Sequence, residues 1–158
     1  MTFFLSRSTR RLANLAVVVV LPEPCRPTNM IDAGGTGLAA PQVHVPLRVI
    51  LFQVATERGV DSELEVPLTA LINPMIENLT SKQEYDWESC LSVPGLTGLV
   101  PRCHRIRYSG ITPKGDKIDR VAEGFHARVV QHEYDHLEGI TFNKRVSKLR
   151  WDMANKRK

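Results

Sequence analysis

Short apolar stretches separated by turn-forming residues run through much of the chain. Residues 47–54 are almost continuously apolar, and residues 68–72 form a second apolar stretch that an Asn-Pro pair is expected to end. Apolar and polar residues alternate over 105–109 and 117–121, and a Pro-Lys-Gly-Asp turn sequence lies between them. Alternation with a period of two predicts strands, and the intervening turn predicts a hairpin.

Near the C-terminal end, the pattern changes to the spacing of a helix. The apolar residues Phe125, Val129, Val130 and Leu137 recur at helical spacing, and Gly139 follows where a glycine commonly ends a helix. Strands followed by one helix predict an α+β domain, with mostly antiparallel sheets packed around that helix.

The composition narrows the class of protein. A chain of 158 residues with 42% hydrophobic residues is long enough for one domain with its own core. Three cysteines are an odd number and too few for a disulfide scaffold. No apolar run approaches the roughly 18 residues that a membrane span requires, so no membrane association is expected.

The predicted helix contains an HExxH motif made by His132, Glu133 and His136. Residues four apart lie on one face of a helix, so the two imidazoles can bind one metal ion. The glutamate beside the first histidine can then reach a metal-bound water, which indicates a metal-assisted hydrolase. The alternative is an exposed helix whose histidines and glutamate are only solvated.

A catalytic metal of this kind needs a third protein ligand and one open position. Many HExxH peptidases take that ligand from further along the chain, but no His or Cys follows His136. Cys90 is the best upstream candidate, because the turn-like residues 92–95 place it where a strand runs out into a loop. The alternative for a lone cysteine is a buried apolar side chain.

A third segment, residues 35–42, reads Gly-Thr-Gly-Leu-Ala-Ala-Pro-Gln. Its two glycines permit a tight backbone path. Gln42 offers an uncharged NH₂ donor that suits a developing oxyanion. A nucleotide-binding loop is not indicated, because no apolar strand leads into the segment and Pro41 interrupts a following helix.

Three blocks, residues 35–42, 88–92 and 131–139, resemble peptide deformylase in order and in spacing. That family carries GxGLAAPQ, then E-[GS]-CLS, then QHExDHLxG. The resemblance covers about Met30 to Phe142, so residues 30–142 are expected to form the catalytic domain. It implies an amide hydrolase that removes the N-formyl group from the N-terminal methionine of newly made polypeptides and releases formate.

The resemblance also implies roles for individual residues. The metal ligands would be Cys90, His132 and His136, with Glu133 as the general base and acid. The oxyanion would be met by the Gln42 side chain and the Leu91 backbone N–H. Two paired residues are expected to hold the loop that carries Cys90 in place: Glu88 and Arg102. Three more residues are expected to contact the substrate: Gly37, Phe125 and Val129.

One divalent metal ion is expected, and the resemblance implies Fe²⁺ in the cell, with Zn²⁺, Ni²⁺ or Co²⁺ able to take its place. The residues alone do not choose between these ions. The expected partners are N-formylmethionyl nascent peptides, and the expected form is a monomer in the bacterial cytoplasm.

Both ends of the chain depart from the central pattern. Residues 1–29 form an atypical segment in which arginines precede a Val-rich stretch and several prolines. The segment is consistent with a misread frame or recombined segment before an internal start at Met30, with a divergent strand, or with a targeting peptide to an organelle matrix. Residues 143–158 form a basic tail, which is either a solvated end or a contact to the ribosome.

Two other functions stay open. A generic HExxH metallopeptidase would need a downstream third ligand. A non-catalytic, metal-stapled ribosome-binding module would need a fourth protein ligand to close the site, and Cys103 and His104 are the nearest candidates. Formate release from a formyl-methionyl peptide separates these functions from a deformylase.

Overall fold

The computed structural model of the protein describes residues 35–55 and 65–151. Its strands are β1 (Gly37–Ala39), β2 (Val49–Val54), β3 (Val66–Asn78), β4 (Gln83–Cys90), β5 (Val93–Cys103), β6 (Arg105–Ile111), β7 (Lys117–Glu123) and β8 (Lys148–Trp151). The helix α1 is Gly124–Leu137, and short 3-10 helices are Ala40–Val43 and Phe142–Lys144. The predicted atypical segment, residues 1–29, lies outside the described residues.

Within the described ranges, the strands form two antiparallel sheets. The first sheet has the order β1-β2-β3-β6-β7, and the second has the order β4-β5-β8. Helix α1, which carries the HExxH motif, contacts strands of both sheets. The predicted α+β class with antiparallel sheets around one helix is therefore confirmed. None of the helices in these ranges is long and apolar enough to cross a membrane.

The main core lies between the first sheet and α1. Alternate residues of β2 and β6 point toward the helix, as a period of two requires. The largest fully buried members of this core are Ile50, Phe52, Leu71, Ile106, Tyr108 and Val130. Because both β2 and α1 contribute to this core, it fixes the helix against the first sheet, whose strand β1 lies in the 35–42 segment.

The predicted hairpin and helix are confirmed with small changes in their bounds. Strands β6 and β7 pair from Arg105 opposite Glu123 to Ile111 opposite Lys117. Helix α1 begins at Gly124, one residue before Phe125, the first apolar residue of the predicted helix, and ends at Leu137, shortly before Gly139 with its φ of 67°.

The predicted end of the strand at the Asn-Pro pair is wrong. Strand β3 continues to Asn78, and its register against β6 shifts between Ile72 and Met75. Asn73 takes a φ of 49° inside this irregularity, and its N–H donates to the carbonyl of Arg48 at 2.8 Å. A bulge accommodates a left-handed residue and a proline that lacks an N–H, so the strand bends instead of stopping.

Part of the predicted basic tail is a strand. Lys148 to Trp151 form β8, which pairs with β5 through Lys148 opposite Leu99 and Arg150 opposite Thr97. The guanidinium of Arg150 lies 3.9 Å from the centre of the Trp87 ring. The remainder of the tail, residues 152–158, is outside the described ranges, and the boundary at residue 142 stays a prediction.

Candidate metal centre

Cys90 and the two motif histidines come together between β4 and α1. Cys90 ends β4, immediately after a register shift between Ser89 and Cys90. Its Sγ lies 3.3 Å from Nε2 of His136, and the His132 and His136 ring centroids are 5.0 Å apart. One ligand atom of each residue lies within 4.8 Å of the others, so a single ion fits between them. A thiolate with two imidazoles is a donor set that divalent transition metals accept.

A carboxylate at Nδ1, on the side of the ring away from the cluster, fixes the orientation of His132. Its Nδ1 donates to Oε2 of Glu88 at 2.8 Å, which leaves Nε2 facing the cluster. Glu88 in turn accepts two hydrogen bonds from Arg102, from Nε and Nη2, each at 2.9 Å. A carboxylate behind a metal-binding histidine sets its tautomer and ring direction. The structure thus brings together the predicted pair Glu88 and Arg102, and places it directly behind a predicted ligand.

The charges of these groups favour the ligand form of the thiol. Burial raises the pKa of Cys90, but hydrogen bonds with His132 and His136 outweigh this effect and lower the pKa to about 5. Burial lowers the pKa of His132, and hydrogen bonds with Cys90 and Glu88 raise it to about 10. Burial likewise raises the pKa of Glu88, while His132 and Arg102 lower it to about 2. A thiolate is therefore available at neutral pH, paired with a charged His132 that would release its proton on binding a metal ion.

Glu133 is buried beside this cluster with unused hydrogen-bonding capacity. Its Oε2 has no hydrogen-bond partner among the described residues. Burial raises the pKa of Glu133 to about 7, with negative charge on Cys90 and Glu88 adding to the effect. A carboxyl that titrates near neutral pH can both accept and deliver a proton.

Gln42 reaches the cluster from the 3-10 helix that follows β1. Its Oε1 accepts the N–H of Ala39 at 2.8 Å. Its Nε2 therefore faces the cysteine loop, 3.0 Å from Oγ of Ser92 and 3.5 Å from Sγ of Cys90. Leu91 follows Cys90 in the turn before β5, with an exposed side chain. Both residues predicted to meet an oxyanion thus lie beside Cys90.

The residues predicted to contact the substrate lie on β1 and on α1. Gly37 lies in β1 against the side chain of Glu133. Val129 is buried in the main core, and Phe125 is partly buried against the same core. The contact of Phe125 and Val129 with a substrate stays a prediction.

Two buried ionic residues near the site were not foreseen from the sequence. Asp135, inside the HExxH motif, accepts hydrogen bonds from Arg102 and from both Nε and Nη2 of Arg145. Arg128, one turn before His132 on α1, donates to Glu88. For Arg128 one signal was visible in the sequence, namely an arginine among the apolar residues of the predicted helix.

The candidates for a fourth protein ligand lie elsewhere. Cys103 is buried and its Sγ donates to the carbonyls of Thr80 and Arg105, at 3.2 and 3.1 Å. The Nδ1 of His104 is 2.9 Å from a carboxylate oxygen of Glu84. In the described part of the chain, the cluster of Cys90 with the two histidines has no additional His, Cys, Asp or Glu ligand. Among residues 35–55 and 65–151, the arrangement is that of an open site, which would leave a position for water.

Comparison with known proteins agrees with this geometry. Residues 28–151 match the sequence model of the polypeptide deformylase family. The chain is 53% identical over 122 residues to peptide deformylase 1 of Nitrosomonas europaea, an alignment that covers 77% of this chain and 69% of the relative. It is 55% identical over 117 residues to peptide deformylase 2 of Ralstonia nicotianae, and this alignment covers 74% of this chain and 66% of the relative.

Solved structures show the same similarity. The class I type b peptide deformylase of Acinetobacter baumannii with bound Met-Ala-Ser has a TM-score of 0.67 at 36% identity, over 75% of each chain. The deformylase of Synechococcus elongatus in complex with actinonin also has a TM-score of 0.67, at 38% identity, over 76% of this chain and 62% of the other. The chain therefore belongs to the peptide deformylase family.

Proposed function

We propose that this protein is a metal-dependent hydrolase that removes the N-formyl group from the N-terminal methionine of newly made polypeptides, with release of formate. One observation carries the proposal. A three-donor cluster of Cys90, His132 and His136 lies beside the buried carboxyl of Glu133, one oxygen of which has no partner among the described residues. Membership of the deformylase family supports the same reaction.

The metal would be held by Cys90, His132 and His136. A divalent ion there would supply a Lewis acid and would lower the pKa of a water molecule from its bulk value toward about 7. We propose Fe²⁺ as the ion in the cell, with Zn²⁺, Ni²⁺ or Co²⁺ able to occupy the same donors. The mixed thiolate and imidazole set supports a transition metal over Mg²⁺ or Ca²⁺, which prefer oxygen ligands.

The protein groups around the donors would move the protons and hold the charges of the reaction. Glu133 would accept a proton from the attacking water and deliver it to the leaving amine. The Nε2 of Gln42 and the backbone N–H of Leu91 would donate hydrogen bonds to the formyl oxygen as negative charge develops there. Glu88 keeps Nε2 of His132 directed at the cluster, and Arg102 holds Glu88.

The substrate would be an N-formylmethionyl peptide. The similarity to a relative with bound Met-Ala-Ser supports a peptide substrate. We propose that Gly37, Phe125 and Val129 contribute to its binding. A peptide can also pair with an exposed strand edge, and β1 is an edge strand of the first sheet.

The setting of the reaction is also part of the proposal. We propose a monomer in the bacterial cytoplasm, with residues 30–142 as the catalytic domain. The basic segment from residue 143 would contact the ribosome, where nascent chains emerge. Its described positive side chains include Lys144, Lys148 and Arg150, and opposite charge on ribosomal RNA would attract them.

The decisive experiment compares the protein with Glu133→Gln after loading with metal. The amide cannot accept a proton, so formate release from formyl-Met-Ala-Ser should fall by at least about 10²–10⁴-fold. Metal content should stay at one ion per chain, because Glu133 is not a donor in the cluster. Acetylated and unformylated peptides serve as controls. Equal rates for the two proteins would contradict the proposal, and cleavage of unformylated peptide would indicate a generic peptidase.

A further inference from the structure

Arg128 is a buried arginine with three hydrogen bonds to the strands behind the metal centre. Its Nη1 donates to Oε1 of Glu88 at 2.7 Å and to the carbonyl of Val100 at 2.9 Å. Its Nη2 donates to the carbonyl of Glu84 at 2.7 Å. Only 6% of the residue is exposed. Burying a guanidinium is costly unless its donors are paired, so this set of contacts is what makes the position tolerable.

The three contacts connect the helix with both strands of a hairpin. Arg128 belongs to α1, which carries the histidines of the candidate metal site. Glu84 and Glu88 belong to β4, which ends at Cys90, and Val100 belongs to β5. One guanidinium therefore joins the strand of the thiolate to the helix of the imidazoles.

Arg128 also completes the set of donors around Glu88. Oε1 of Glu88 accepts Nε of Arg102 and Nη1 of Arg128, while Oε2 accepts Nη2 of Arg102 and Nδ1 of His132. Arg102 lies on β5 and holds the carboxylate relative to the sheet. Arg128 lies on the same helix as His132 and holds the carboxylate relative to that helix.

We propose that Arg128 is a positioning residue of the metal centre. Through Glu88 it fixes the direction of Nε2 of His132, and its hydrogen bonds to the carbonyls of Glu84 on β4 and Val100 on β5 hold the guanidinium in place against Glu88. It acts through other groups and does not touch the metal or the substrate. The proposal rests on the proposed function, because it takes the Cys90, His132 and His136 cluster as the metal site.

The first test measures metal affinity and the absorption spectrum of the Co²⁺-loaded protein. Arg128→Met should lower the affinity for Zn²⁺, measured by competition with a chelator, by about 10–100-fold. It should also change the Co²⁺ bands, because the geometry of the donors changes. Arg107→Met is the matched control, since Arg107 pairs with Asp119 on the exposed hairpin. The control should leave both measurements unchanged.

The second test asks whether Arg128 acts through Glu88. In a double-mutant cycle with Glu88→Gln, the effect of Arg128→Met on metal affinity should shrink markedly, because its main partner has already changed. If the fold-losses of metal affinity in the two single variants multiply in the double variant, the inference is overturned. If Arg128→Met does not fold, Arg128→Lys carries the test, since it keeps the charge but cannot reach all three acceptors. Arg128→Lys should then lose part of the affinity.

Unchanged affinity and an unchanged Co²⁺ spectrum in a folded Arg128 variant would overturn the inference. Such a result leaves the proposed function standing, provided that the unaltered protein binds one metal ion and releases formate. Failure of the unaltered protein in those two measurements would instead contradict the proposed function.

Discussion

Gly37 and Glu133 are so close that no side chain fits between them. A Cβ atom built on Gly37 would lie 2.2 Å from Oε1 of Glu133 and 2.5 Å from its carboxyl carbon. Strand β1 therefore passes directly over the carboxyl that we propose as the general base. The absence of a side chain at Gly37 is a condition for the position of Glu133, because the buried carboxyl would have to shift to make room for a Cβ there.

Gly37→Ala should therefore impair catalysis by displacing Glu133. The new methyl group would push the carboxyl away from the cluster, and the expected loss in kcat approaches the roughly 10²–10⁴-fold of a missing general base. Metal content should be retained, because the atoms nearest to a Cβ on Gly37 all belong to Glu133, which is not one of the three donors. Formate release and metal content, measured on the same preparation, check this.

Gly115→Asn provides the control for a glycine replacement. Gly115 lies in the β6–β7 turn with a φ of 90°, and a Cβ there meets nothing within 4 Å. Asparagine tolerates positive φ better than most residues, so activity should not change. A Gly37→Ala protein that is as active as the Gly115→Asn protein would show that Glu133 relaxes without loss.

Site residues were predictable from the sequence where a short segment of chain determines their relative positions. The spacing of His132 and His136 follows from the period of a helix, and elimination of downstream ligands led to Cys90. Contacts between distant segments were not predictable in the same way. The apposition of Gly37 and Glu133, and the position of Arg128 behind Glu88, depend on how β1 and β4 pack against α1, which no local pattern specifies.

The fold shows the same division. The alternating strands β6 and β7 were predicted because one face of each is buried and the other is exposed. A strand was expected to end near Cys90, as β4 does, but the bounds of β4 and β5 were not predicted, since charged residues, glycines and prolines interrupt their apolar pattern. Strand β3 was predicted too short because a bulge, set by pairing with β6, absorbs the Asn-Pro pair.

Gln42→Leu should lower kcat and leave metal binding intact. The leucine has a similar size but lacks the NH₂ group that faces Cys90, so one hydrogen bond to the developing oxyanion is lost. Removal of such a donor costs about 10²–10³-fold in kcat. Steady-state kinetics on formyl-Met-Ala-Ser checks this.

Ser92→Ala is the companion variant, because it removes an acceptor of Gln42 Nε2 and keeps the donor itself. Its effect on kcat should be much smaller. If the two variants lose activity equally, the amide of Gln42 serves to hold the loop and does not act as an oxyanion donor.

The two described cysteines should differ completely in their effect on metal content. Cys90→Ala removes a thiolate from a three-donor site and should lower metal affinity by orders of magnitude. Cys103→Ala should leave metal content unchanged, because the Cys103 thiol donates to backbone carbonyls away from the cluster. Metal analysis after dialysis against chelator measures both. Loss of metal from Cys103→Ala would instead favour a closed, structural site.

His126 is a partly buried histidine outside the metal centre. The ring of His126 packs against Tyr108 and Phe52, with ring centroids at 5.4 and 5.9 Å. Its Nε2 is buried and has no hydrogen-bond partner among the described residues. Burial, with a smaller contribution from the positive charge of Arg120, lowers the pKa of His126 from 6.5 to about 4.

His126 should therefore make a contribution to stability that is lost as the pH falls from about 6.5 toward 4. In that window the unfolded chain binds a proton at His126 that the folded chain does not bind, so the free energy of unfolding decreases with falling pH. His126→Phe keeps an aromatic ring among Phe52 and Tyr108 and removes this proton site. Urea unfolding at pH 7.5 and pH 5, with chelator present in all samples, should show the variant gaining stability relative to the unaltered protein at the lower pH. A difference between the two proteins that is the same at both pH values would contradict the prediction.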